Sequence, residues 1–134
     1  MISLKKSEWV ILSGLLLLSF VPCVGGIVRL VELGNGTSVL PENPRVLAAP
    51  LPVIVHLLGS IPYCVLGILQ FLPGVRNAFP RWHRRSGRLL LVAGLLAAFS
   101  GLWMTHFYDF PAELQGSLLH WVRVFVGIGM IASL

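Results

Sequence analysis

Charge is scarce in this sequence. Only 11% of its 134 residues are charged, against about a quarter in soluble domains. So few charges cannot clothe a water-facing surface, which excludes an ordinary soluble enzyme, a disordered chain and a free nucleic-acid binder. Acids are scarcer still: five Asp and Glu stand against ten Lys and Arg. With no paired carboxylates, phosphate loop or nucleophile elbow, conventional acid–base catalysis has few candidates. Two cysteines, Cys23 and Cys64, are too few for a disulfide scaffold and too far apart for a zinc motif. Period-two alternation is absent, which removes a transmembrane β-barrel.

What is present is apolar sequence, 56% of the chain, in long runs. A bilayer core takes about 20 mostly apolar residues per helix. Backbone groups in hydrocarbon need internal partners, so the runs must be helices. The reading is an all-α integral membrane four-helix bundle, a single transmembrane domain with helices over 9–29, 47–72, 88–107 and 115–134. Pro50 and Pro52 mark the start of the second helix, and Pro62 removes a hydrogen bond inside it, predicting a kink. The first run has a rival reading as a signal peptide, because Lys5 and Lys6 precede it and Cys23, Val24 and Gly25 outline a cleavage site.

Lys and Arg in short loops set orientation. The connection after the second run holds Arg76, Arg81, Arg84, Arg85 and Arg88 and no acid. The opposite side has Arg29 and Arg45 with Glu32 and Glu42, then Asp109 and Glu113. N-terminus, basic connection and C-terminus are therefore expected on the cytoplasmic side. The net charge of +5 needs no nucleic acid to explain it, since basic residues beside a membrane attract anionic headgroups at about 1 kcal/mol each.

Polar residues pattern the helices. His56, Ser60, Tyr63, Gly67 and Gln70 recur at helical spacing on one stripe of the second helix, with Gly59 beside it. Polar groups in a span avoid lipid. The stripe is read as a helix-packing seam or as the wall of a ligand site. Gly87, Gly94 and Gly101 follow at heptad spacing in the third helix, with Ala97, Ala98 and Thr105 nearby, a face that admits close helix approach. The fourth helix puts His120, Arg123 and Gly127 on one side. An arginine at this depth either snorkels to headgroups or meets a carbonyl, Asp109, Glu113 or an acidic cofactor group.

A b-type haem needs two imidazoles on facing helices at similar depth. His56 and His120, with Arg123 near, form the candidate cofactor set, with haem b the candidate cofactor. In the bland alternative His56 bonds within the seam while His106 and His120 sit wet at the outer rim. No i, i+4 histidine pair or acidic ligand accompanies them, so no metal site is expected. The basic stretch Arg76, Arg81, His83, Arg84, Arg85 and Arg88 is the candidate anion or lipid-headgroup site, with Arg84 and Arg88 four apart on one face of the first turn of helix three.

Gly67, Gln70, Phe71 and Arg76, followed by His83, Arg84, Gly87 and Arg88 as an HR-x-x-GR turn, form an ordered pattern with His56 ahead of it. Over about residues 50–104 the chain resembles a bacterial family of predicted multi-span membrane proteins of unknown function. The resemblance implies a helical fold and a membrane address, here the inner (plasma) membrane, and no established activity. Members continue into further helices with a second histidine–arginine motif. A shortened family member, or a subunit completed by a helix partner or oligomer, is therefore expected. Functions stay open between an accessory or structural membrane subunit, a haem-binding electron carrier using His56 and His120, and a small transporter.

Overall fold

The computed structural model describes residues 5–110 and 116–134. The described residues form six helices and no strand: α1 (Lys6–Asn35), α2 (Pro44–Ala48), α3 (Pro50–Gln70), α4 (Pro73–Ala78), α5 (Pro80–Phe107) and α6 (Ser117–Ser133). Three of them, α1, α3 and α5, are long and apolar enough to cross a membrane, and α6 is a shorter apolar helix.

Proline punctuates the chain. Helices α2, α3, α4 and α5 each begin on a proline, whose fixed φ suits the first helical position and whose missing N–H costs nothing there. Each preceding residue is pushed out of the helical region: Asn43, Ala49, Leu72 and Phe79 have ψ between 64° and 105°. This corrects three expected boundaries. The run over 47–72 is split, because Pro50 breaks the backbone at Ala49 and Pro73 breaks it at Leu72. Helix α5 starts at Pro80 rather than 88, so the arginine-rich segment is helical. Its 28 residues span about 42 Å at 1.5 Å each, longer than the hydrocarbon core of about 30 Å, so its first turns have length to project beyond it. Helix α1 runs on to Asn35, where Gly36 adopts φ 68° and its N–H caps the Glu32 carbonyl. That left-handed position is the one glycine takes without strain. The expected start of the fourth helix at 115 lies outside the described residues.

The long helices pack in a row, α1 on α3, α3 on α5 and α5 on α6. The buried apolar core is thin: Val46, Ile68, Leu72, Leu90, Ala93, Ala97 and Ala98. Meanwhile Leu17 and Leu18 are more than three-quarters exposed, in the company of Phe20, Phe99 and Phe125. Soluble monomers rarely expose contiguous apolar patches beyond a few hundred Å². A surface of this kind is stable only where its surroundings are apolar too.

Carboxylates tie the ends. At the arginine-rich end Glu8 accepts from the N–H groups of Lys5 (2.8 Å) and Gly74 (2.7 Å), joining the start of α1 to the start of α4. At the opposite end Glu32 accepts from Val39 (2.5 Å) and Leu40 and pairs with Arg29 at 2.9 Å. Arg29 also donates to the Pro41 carbonyl (3.2 Å), so the connection from α1 to α2 folds back onto its own helix.

Candidate functional site

The polar stripe of α3 meets the glycine face of α5. A Cβ built on Gly101 would lie 3.4 Å from His56 Cε1, one on Gly94 would lie 2.9 Å from the Tyr63 ring, and one on Gly87 would lie 3.7 Å from Gln70 Oε1. Each step of seven along α3 is thus matched by a step of seven back along α5, as an antiparallel pair requires. Gly59 sits between these contacts. A Cβ there would fall 2.6 Å from the Ala93 carbonyl and 2.9 Å from the Ala97 nitrogen, so the two backbones touch.

Hydrogen bonds fasten the same seam. His56 Nδ1 lies 2.9 Å from the Ala97 carbonyl. A carbonyl only accepts, so Nδ1 carries the proton and donates. Ser100 Oγ is 3.3 Å from the same nitrogen and donates to Leu96 O at 2.5 Å. Gln70 Nε2 donates to Ser86 Oγ (2.7 Å), which donates to the Trp82 carbonyl (2.9 Å). Sequence reasoning missed Ser86 and Ser100. The signal available for them was their placement on α5 beside Gly87 and Gly101.

The structure gives the expected haem histidines different partners. The His56 ring is turned onto α5 at Ala97, Ser100 and Gly101. The His120 ring stands edge-to-face against His106, 5.3 Å between centroids, with Trp121 on another side at 5.9 Å. His106 Nδ1 lies 2.8 Å from the Leu102 carbonyl. Among the described residues no group of three or more His, Cys, Asp or Glu is placed to hold a metal ion.

Arg123 lies over the Phe110 ring, 4.3 Å from guanidinium carbon to centroid, and Arg45 lies over the same ring at 4.8 Å. Arg45 Nε also donates to Asn43 Oδ1 (3.1 Å). Of the partners expected for Arg123, Glu113 lies outside the described residues. Asp109 lines a cavity of about 550 Å³ with Arg45, Phe110 and Glu42. Nearby, Tyr108 donates from its hydroxyl to the Ala49 carbonyl (2.5 Å). Burial pushes this phenol above its ordinary pKa, with Arg45 opposing.

At the other end Arg76, Arg81, Arg84, Arg85 and Arg88 are all exposed, and His83 is half-buried. Arg84 and Arg88 lie on the second and third turns of α5 rather than its first, because the helix begins at Pro80. The His83 Nδ1 is buried without a hydrogen-bond partner. Beside the seam, a cavity of about 340 Å³ is lined by Ser19, Tyr63, Cys64, Gln70, Ser133 and apolar residues of α1, α3 and α5.

An all-helical fold, an apolar outer surface and polar groups turned into a helix seam define a membrane protein. The chain matches the family of predicted membrane proteins designated DUF2306 over residues 53–134, more than half its length, and it belongs to that family. No curated protein and no solved structure matches it.

Proposed function

We propose that this chain is an accessory or structural subunit of the inner (plasma) membrane, with four spans in one domain and both termini cytoplasmic. One observation carries the reading. Two polar side chains of α3 that could have lined a pathway or held a cofactor are engaged with α5, His56 at Ala97 and Gln70 at Ser86. Polar groups used this way fasten helices together, at about 0.6 kcal/mol and up to about 1.7 kcal/mol per bond in a bilayer. The exposed apolar faces of α1 and α6 are left for lipid or for the helices of a partner. The basic residues Arg76, Arg81, His83, Arg84, Arg85 and Arg88 then meet anionic lipid headgroups, as the bias of arginines to the cytoplasmic side favours.

The test is native electrophoresis of membranes extracted in mild detergent, with an absorption spectrum of the purified protein. An accessory subunit migrates in an assembly larger than its own mass and shows no Soret band, even after haem is added. A Soret band that disappears in both His56→Ala and His120→Ala would replace this reading with the electron carrier. Migration as a lone monomer would also overturn it.

A further inference from the structure

The cavity of about 340 Å³ lies in the half of the bundle nearer the arginines, between the last turns of α3 and the first halves of α1 and α5. Its lining carries no charged residue. Two lining residues, Phe71 and Leu91, are exposed, so it opens at the apolar outer surface. A concave, mostly apolar space of this size suits a slender apolar ligand. Along α5, charge stands beyond the cavity. Arg84 precedes Leu91 by seven residues and Arg88 precedes it by three. At about 100° and 1.5 Å per residue, Arg84 falls within about 20° of Leu91 and about 10 Å nearer the helix start, with Arg88 about 60° to the side. Both arginines are exposed. His83 lies four residues before Gly87 of the lining, hence on the same face, and its buried Nδ1 has no hydrogen-bond partner among the described residues. The carboxylate at this end, Glu8, is already held by the N–H groups of Lys5 and Gly74.

We propose that this cavity seats one acyl chain of an anionic phospholipid while Arg84 and Arg88 hold its phosphate. The order along α5 is that of the lipid itself, charge outermost and hydrocarbon beneath. Guanidinium forks match phosphate oxygens, and His83 Nδ1, when protonated, adds a donor on the same face. A zwitterionic headgroup would bring an ammonium group to a rim whose carboxylate is already engaged, which selects an anionic lipid. The assignment rests on the reading of the arginine-rich segment as a headgroup contact and narrows it to two arginines and one lipid.

The experiment is native mass spectrometry of the full chain in detergent, titrated with phosphatidylglycerol or with phosphatidylcholine of the same chain length. One phosphatidylglycerol is expected to saturate, held about tenfold or more tightly than phosphatidylcholine. Arg84→Gln combined with Arg88→Gln is expected to remove that preference, whereas Arg76→Gln combined with Arg81→Gln leaves it. Gly67 lines the cavity and a Cβ built on it meets nothing within 4 Å, so Gly67→Leu fills the space without a backbone clash and is expected to abolish the single bound lipid. Ser19→Leu fills it from α1 should Gly67→Leu fail to fold. Equal retention of phosphatidylglycerol by wild type and a folded cavity-filling variant, or by wild type and the Arg84 and Arg88 variant, overturns the proposal. Uptake that never saturates and falls equally on loss of any arginine also overturns it, yet leaves the general headgroup contact standing. No preference over phosphatidylcholine fails both. Saturable binding of inorganic phosphate, undiminished in Gly67→Leu and with no lipid retained, would give the arginines to a soluble anion instead.

Discussion

Gly59 and Gly127 show how one residue type carries different consequences. A methyl on Gly59 would press on the Ala93 carbonyl and the Ala97 nitrogen, backbone atoms that move only if a whole helix moves. A methyl on Gly127 would meet the Leu102 side chain, 2.6 Å from Cδ2 and 2.7 Å from Cγ, atoms that a change of side-chain rotamer can move without moving a helix. Overpacking a close contact costs about 1–3 kcal/mol. Gly59→Ala is therefore expected to lower thermal stability in detergent clearly more than Gly127→Ala. Equal losses, or a larger loss at Gly127, would mean that the α3–α5 backbones are not in contact at Gly59.

The short connections decide how the helices are held. Proline starts four of them, and three side-chain anchors close the end opposite the arginines: Glu32 on Val39 and Leu40, Tyr108 on Ala49, and Arg45 with Arg123 on Phe110. Tyr108 ties the end of α5 to the break before α3. Its phenol is held above the ordinary value by burial, so the folded state favours the neutral, donating form. The sign follows: its contribution is complete below the unfolded pKa of about 10 and is lost as pH rises through the higher folded value. Tyr108→Phe is expected to be less stable than wild type at neutral pH, with the gap closing at strongly alkaline pH. A gap that is the same at both would remove the Tyr108–Ala49 bond from the account. The phenol is half-buried, and solvent screening keeps the effect small.

For the whole molecule, the arrangement in a row with apolar flanks makes orientation the first property to measure. Glu8 on Gly74 places the start of α1 and the arginine-rich connection at one end, and Tyr108 on Ala49 places two other connections together at the far end. In a background with Cys23 and Cys64 replaced by alanine, a cysteine at Asn77 is expected to resist a membrane-impermeant maleimide added to intact cells. A cysteine at Thr37 is expected to react. The reverse pattern would invert the proposed topology.

Much of this was legible in the chain itself. Scarce charge and long apolar runs require lipid, and lipid requires helices, because backbone groups there have no water to bond. The heptad steps of His56, Tyr63 and Gln70 and of Gly101, Gly94 and Gly87 were each visible as a face. Their pairing was not, since two faces of equal period fit at several registers and only packing selects one. Proline positions located the helix starts, yet the arginine-rich stretch up to Arg88 was read as a connection rather than as the opening of α5, because its charges masked the continuing helix. Contacts between residues far apart in sequence were left to the tertiary structure: His106 with His120, two arginines on Phe110, and Glu8 on Gly74. Such contacts depend on how far one helix slides and turns against another, a quantity that no local pattern encodes.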